Sequence, residues 1–378
     1  MASLLRPRER KWRRSPGDSS QDNGWRNAFV IANRPLSNAH VNMSQSSLPQ
    51  PDRTPRASLL WWMTSTDRQR FFPGDEGFHA EELGLDPGAP ESAAALRARN
   101  PEILVTSWQT PPLPVEWLDD PECRLRYVCH VGGTVRRLLP RRFLEKGGLV
   151  TNWGGAVAES VAEHALLLAL AALRDLPAWP QGKIDPDIGP STRTLRGKRV
   201  GIHGFGGVAQ ALVRLLRPFA VEIAAFSSGV PEAVFGAHRV RAAGTLEELL
   251  ATAEVFFECE ALTPATEGVL DASRLARLRD GAVFVNVGRG RLVDETALVA
   301  EARAGRLRVA VDVLQHEPIT PAAVLSQVPG VVVSPHIGGP TREEYPAIGR
   351  RSAENVQRYL RGDPPQDVVT LAHYDRST

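Results

Sequence analysis

Short apolar runs separated by amphipathic stretches dominate the chain from residue 58 onward. "SLLWWM" (58–63), "EILVTSW" (102–108) and "RLRYVCH" (124–130) have the length and β-branched or aromatic content of buried strands. "ESAAALRAR" predicts a helix between the first two, and "TVRRLLPRRFLEKGG" predicts a helix ending in glycines after the third. "SVAEHALLLALAALRD" predicts a strongly apolar helix, with Ser160 and Glu163 spaced as a capping box at its mouth. A Pro-rich stretch (178–190) follows, and then a second alternation begins. "KRVGIHG" and "VEIAAFS" predict strands around the helix "GVAQALVRLLRPF", in which Val208, Leu212 and Leu215 share a face. "TLEELLATA" adds a helix with a capping box at Thr245 and Glu248, and "EVFFEC", "GAVFVNVG", "LRVAVDV" and "GVVVSPH" add four more buried strands. A last helix is expected from the Thr341/Glu344 box to Gly362. Strand–helix alternation of this kind implies parallel sheets covered by helices on both faces, and residues 199–336 read as one doubly wound unit.

The chain's 378 residues imply two domains plus tails. Residues 1–56 are rich in Arg, Ser, Asn, Gln and Pro without a sustained apolar period. Three readings stand for them, in this order: a disordered extension, a start set upstream of a true start at Met43, and a mitochondrial presequence, which Glu9, Asp18 and Asp22 interrupt. The formal net charge of +2 argues against an electrostatic role on nucleic acid or membranes. The apolar run "ALLLALAAL" is too short to span a bilayer, and the basic N-terminus lacks the apolar core of a secretory signal. The expectation is a cytoplasmic protein. Cys123, Cys129 and Cys259 have neither disulfide nor metal-ligand spacing, so no metal is expected.

The candidate chemistry starts at Gly204, Gly206 and Ala209, which fit G-x-G-x-x-G/A between a predicted strand and a predicted helix. In that context the first glycine allows a tight turn and the second lets the backbone approach a pyrophosphate. The alanine permits close packing of helix on strand. The amides from Phe205 through Gly207 to Val208 would then face the phosphates at a helix N-terminus. At the end of the second strand, where an acid ordinarily binds the ribose, stands Ser227. Serine can bond a ribose hydroxyl but does not repel a 2′-phosphate. No arginine follows directly to hold that phosphate, Arg239 and Arg241 being a dozen residues on. This favours NAD and leaves NADP open.

Three later strand ends supply Arg289, Glu317 and His336 in chain order. A forked guanidinium suits a substrate carboxylate, and imidazole can exchange an alcohol proton near neutral pH. A carboxylate beside the imidazole favours its charged form and fixes its tautomer. At these residues the sequence resembles the D-isomer-specific 2-hydroxyacid dehydrogenase family. "VAEHALLLALAALRD", "LRGKRVGIHGFG", "LTPATEG", "GAVFVNVGRGRLVDETAL", "VDVLQHEP" and "SPHIGG" occur in family order over roughly residues 100–370.

The resemblance implies a flavodoxin-like substrate domain (57–152, with a return at 339–378) and a Rossmann cofactor domain inserted at 153–338. It also implies a homodimer paired through the cofactor domains. By the same resemblance Arg289 binds and polarises a small 2-oxo or 2-hydroxy acid, His336 is the proton donor/acceptor, and Glu317 supports the charged ring. The amides of Gly132 and Gly133 receive the substrate carboxylate. Asp312 holds the nicotinamide carboxamide, and Ala261, Thr266, Val287, Gly288 and Gly338 complete the cofactor contacts.

Two departures stand out. Cys259 and Ala261 replace the His and Pro of the family's HxPLT segment, and "HVGGTVRR" differs from its usual substrate loop. His130, His164 and His203 are expected in capping, packing or core roles. A dinucleotide-sensing regulatory protein on the same scaffold is the alternative function, and oxidation of formate or phosphite ranks third. Deleting residues 1–50 is expected to leave nucleotide binding and the melting temperature unchanged, because that segment is too poor in apolar residues to dock on a core. A fall of several degrees in the truncated protein, measured by calorimetry, would count against this.

Overall fold

A computed structural model of the chain describes residues 58–177 and 192–376. The N-terminal extension and the Pro-rich stretch at 178–190 lie outside the described residues. Everything below concerns the unit Pro51–Thr378.

Two parallel sheets organise the chain. The first contains β1 (Leu59–Trp62), β2 (Glu81–Glu82), β3 (Ile103–Ser107), β4 (Tyr127–Val131) and β5 (Leu149–Thr151), in the order β2-β1-β3-β4-β5. That is the flavodoxin-like doubly wound order. The second contains β6 (Arg199–His203), β7 (Glu222–Phe226), β8 (Arg241–Ala242), β9 (Val255–Glu258), β10 (Val283–Asn286), β11 (Arg308–Val311) and β12 (Val332–Val333). Its order is β12-β11-β10-β9-β6-β7-β8, the Rossmann arrangement with one additional edge strand. The order reverses between β6 and β9, so the crevice at their carboxyl ends is the expected ligand site.

Every central strand is apolar on both faces because helices cover both. Val200, Ile202, Phe257 and Val285 face one core of the second sheet, and Phe256, Phe284, Val309 and Val311 face the other. Helix Gly207–Leu216 buries Ala209, Leu212, Val213 and Leu216. This helical stripe is displaced by one position from the expected Val208/Leu212/Leu215 face, because Val208 and Leu215 sit at its margin. Helix Ala158–Leu173 packs against the same core.

Three local expectations are corrected. The helix expected over "TVRRLLPRRFLEKGG" is confined to Arg141–Glu145, since Pro140 disfavours helical backbone in the residue before it. The Ser160/Glu163 box does not form: the helix begins at Ala158, and the Ser160 hydroxyl donates to Glu344 Oε1 at 2.6 Å. The last helix starts at Tyr345, four residues after Thr341, although the Thr341 amide still donates to Glu344 Oε2 at 2.7 Å. It ends at Gly362 as expected. The Thr245 hydroxyl does cap the next helix, accepting from the Glu248 amide at 3.1 Å. Short elements without a long apolar signature, such as β2, β5 and helix Ser65–Phe71, are additions to the sequence reading.

Helix Tyr345–Arg361 returns the chain to the first sheet, where Ile348, Ala353 and Val356 join the core of Leu59, Trp61, Ile103 and Val105. The approach is close at Gly349, where an added Cβ would lie 1.7 Å from the Phe71 carbonyl oxygen. Gly349→Ala is therefore expected to destabilise the protein by roughly 1–3 kcal/mol through overpacking. Denaturant unfolding of the variant checks this, and an unaltered midpoint would mean the helix is not seated so tightly.

Candidate active site

Because both sheets are parallel, residues just after each strand gather on one edge. Gly204 follows β6, Ser227 follows β7, Arg289 comes three residues after β10, and His336 three residues after β12. The sequence alone could place these groups at strand ends. The sheet order sets where each lies along that edge, with Gly204 and Ser227 on the adjacent ends of β6 and β7, and Arg289 and His336 on the other side of β9.

At Gly204 the backbone turns at φ 84°, and an added Cβ would meet the Glu260 amide nitrogen at 2.5 Å. Only glycine meets both demands. A Cβ at Gly206 would meet nothing within 4 Å, so that position faces open space. Gly206 is also the N-cap of helix Gly207–Leu216, and no side chain caps that end. Such a helix start, with open space before it, fits a pyrophosphate. Phe205 is buried against Phe235, Gly207 packs near Ala158, and Val208 lies at the core margin.

His336 Nδ1 is 2.7 Å from Glu317 Oε2, and both side chains are well exposed, at 45% and 36%. With Nδ1–H donated to the carboxylate, Nε2 is left for a ligand. Arg289 is the residue before a short 3-10 turn, with its Nη1 donating to the Gly288 carbonyl at 2.7 Å. Burial pushes its guanidinium below the usual range, and the nearby charge of Glu317 opposes that. Thus Glu317 lies within electrostatic reach of both Arg289 and His336.

His336 has φ 55°, the left-handed region that a side chain rarely adopts. Asp312 holds it there. The Asp312 carbonyl accepts the His336 amide at 2.8 Å. Its carboxylate accepts the amides of Ile337 and Gly338, each at 2.9 Å, and the Ser334 hydroxyl at 2.6 Å, with His164 Nε2 at 3.2 Å. Burial, with 3% of the residue exposed, would raise its pKa. The bonds from His164, Ser334 and the two amides outweigh that and hold the carboxyl below the ordinary carboxylate range. Asp312 and Gly338, read from the sequence as cofactor contacts, are thus bonded to each other, and His164 joins the same carboxylate.

The other predicted positions divide. The Gly132 amide donates to the His130 carbonyl at 2.9 Å, whereas the Gly133 amide makes no hydrogen bond among the described residues. Only Gly133 keeps a donor for a substrate carboxylate. The Thr266 hydroxyl closes a turn onto the Ala261 carbonyl at 2.6 Å. Val287 and Gly288 follow β10, their amides taken by the Glu258 carbonyl (3.2 Å) and Asn286 Oδ1 (3.0 Å). Ser227 donates to Glu260 Oε2 at 2.8 Å.

Glu260 was not singled out from the sequence, nor was the buried pair beneath it. His203 Nδ1 is 2.6 Å from Glu258 Oε2, and Glu258 Oε1 accepts the Glu260 amide at 2.8 Å. Burial opposes charge on His203, but Glu258 outweighs it and raises the imidazole above its ordinary value. The only signal available was the acidic pair flanking Cys259 at the end of a buried strand. The Cys259 thiol is pushed far up by burial, which argues against a nucleophile.

Residues 166–338 match the family model described as D-isomer specific 2-hydroxyacid dehydrogenase, NAD binding domain. The chain is 30% identical over 253 residues to D-3-phosphoglycerate dehydrogenase of Methanocaldococcus jannaschii, covering 66% of this chain and 48% of that protein. It is 32% identical over 211 residues to (S)-sulfolactate dehydrogenase of Chromohalobacter salexigens, covering 54% and 66% respectively. The chain spans about half the length of the phosphoglycerate dehydrogenases it matches. Its fold is similar to the holo D-mandelate dehydrogenase of Rhodotorula graminis, with TM-score 0.72 at 21% identity over 83% of this chain and 98% of that one.

The geometry around Asp312 yields a stability prediction. Asp312→Asn replaces one accepting oxygen by a donor facing donors, so a loss of roughly 2–4 kcal/mol is expected. In the wild type the folded pKa lies below the unfolded one, so this contribution is present above the ordinary carboxylate range. It is lost as pH falls through the depressed folded value. Unfolding free energies at neutral and acid pH check it: the gap between wild type and variant should narrow in acid.

Proposed function

The chain belongs to the D-isomer specific 2-hydroxyacid dehydrogenase family, and from that premise we propose that it interconverts a small 2-oxo acid and its D-2-hydroxy acid using NAD(H). The observation that carries this is His336 bonded to Glu317 at 2.7 Å on the sheet edge that also bears Arg289 and the Gly204 loop. NADH, when bound, would supply the hydride for reduction. Residues Gly204–Val208 would hold its pyrophosphate at the helix N-terminus, and Ser227 would lie at its ribose.

Arg289 grips the substrate carboxylate and polarises the adjacent carbonyl, which its forked donors suit. The Gly133 amide adds a donor to the carboxylate. His336 delivers a proton from Nε2 to the carbonyl oxygen as it becomes an alkoxide, and reclaims it in oxidation. Glu317 keeps Nδ1 protonated throughout, so Nε2 alone exchanges the proton. Trp153, after β5, borders Gly133, and Trp108, after β3, packs edge-to-face on Trp153 with ring centroids 5.9 Å apart. In this reading the first sheet and the returning helix form the substrate domain, and 153–338 the cofactor domain.

The same reading makes the protein cytoplasmic and a homodimer paired through its cofactor domains. No helix among the described residues is long and apolar enough to cross a membrane, and Leu167 on helix Ala158–Leu173 is 55% exposed.

The test is a panel of 2-oxo acids with NADH, followed by loss of absorbance. Turnover with at least one acid is expected. His336→Ala should lower it about 10²–10⁴-fold with NADH affinity nearly unchanged, because the imidazole addresses the substrate. Tight NADH binding without turnover on any acid would favour the regulatory reading, and a variant with wild-type turnover would remove His336 from the proton transfer.

A further inference from the structure

The second strand of the cofactor sheet ends without the acid that ordinarily binds the adenosine ribose. Ser227 stands there instead. The fold supplies an acid from another strand. Glu260 lies two residues beyond the end of β9, on the far side of β6 from β7. Its backbone packs against the first glycine of the loop: a Cβ on Gly204 would meet the Glu260 nitrogen at 2.5 Å and its Cα at 2.6 Å. Its side chain crosses to the other strand end, where Oε2 accepts the Ser227 hydroxyl at 2.8 Å. The carboxylate therefore spans the strand ends where the loop and the ribose position meet.

The side chain is held in place. Oε1 accepts the Ala261 amide at 2.9 Å, and the Glu260 amide is anchored on Glu258, itself fully buried against His203. Among the described residues the surroundings offer a 2′-phosphate no cation. A pocket of about 480 Å³ opens beside Ser227, between the end of β7 and the end of β8. Glu232 is the one charged residue among its described lining, and neither Arg239 nor Arg241 lines it. Arg241 is instead paired with Glu248 at 2.6 Å.

We propose that Glu260 is the ribose-recognising carboxylate of this chain, accepting from the 2′-hydroxyl and excluding a 2′-phosphate, with Ser227 as its orienting partner. The assignment rests on the cofactor reading above and makes the protein selective for NAD(H). Cysteine and alanine on either side of Glu260 are then incidental. The residue between them carries the selectivity.

Binding, rather than turnover, tests it. Calorimetric titration of the full-length protein should show NADH bound on the order of tenfold or more tighter than NADPH. Glu260→Gln should reduce that ratio by about tenfold, chiefly by tightening NADPH, since the amide no longer repels phosphate. Glu260→Asp keeps the charge and should retain the preference, and Ser227→Ala should keep most of it. Should Glu260→Gln fail to fold, the wild type suffices: 5′-AMP is expected to bind more tightly than adenosine 2′,5′-bisphosphate. The reverse order, a wild type preferring NADPH, or an unmoved ratio in a folded Glu260→Gln overturns the assignment and leaves the dehydrogenase reading standing. A wild type that binds neither dinucleotide overturns both.

Discussion

Asp312 spends a buried carboxylate on the loop that follows β12, and the position of His336 depends on that bond set. The loop has to place an imidazole at the sheet edge while its backbone takes a left-handed conformation, which costs a residue with a side chain on the order of 1–3 kcal/mol. A strand as short as β12 cannot enforce that alone. Charge-assisted bonds from Ile337, Gly338 and Ser334 to one carboxylate can, because their partner is shielded from water and cannot be replaced by it. His164, on helix Ala158–Leu173, ties the same carboxylate to the helix packed behind the sheet. The exposed pair His336–Glu317 thus rests on a buried carboxylate.

A second buried carboxylate does the corresponding work at the other end of the cofactor crevice. Glu258 ends β9 fully enclosed, and His203, which ends β6, faces it across the sheet. One of its oxygens takes His203 and the other the Glu260 amide. An unpaired carboxylate there would be costly, whereas pairing on both oxygens makes it a rigid joint between the glycine loop and the segment after β9. Each end of the crevice is therefore built on a buried acid whose oxygens take hydrogen bonds from the chain itself and so fix the backbone beside it.

The two parallel sheets explain why so few residues suffice. In a parallel sheet every strand delivers its next residue to the same edge, so four separate loops converge without any loop being long. Helix Tyr345–Arg361 adds the remaining constraint: it brings the chain back to the first sheet, and through Glu344 it reaches Ser160 at the start of the helix that leads into the second. A hydrogen bond between residues 184 positions apart in this way links the helix that leads into the second sheet to the helix that leaves it.

Where function depends on a local pattern, the sequence by itself determined it. The strand–glycine–helix unit at Gly204, the apolar runs of β6, β7 and β9 to β11, and the chain order Arg289, Glu317, His336 can all be read from the linear pattern. Short-range geometry and apolar periodicity are what a linear pattern records. The tertiary structure decided which polar groups are spent and which remain. Ser160 has the spacing of a cap but serves Glu344. Gly132 has the look of an anion site but gives its amide to His130. Asp312 braces the histidine loop, and Glu260 reaches Ser227 from 33 residues away. Apart from the local turn at Gly132, each of these outcomes turns on a partner distant in the chain that the fold brings near, and such a hydrogen bond leaves no period in the sequence to read.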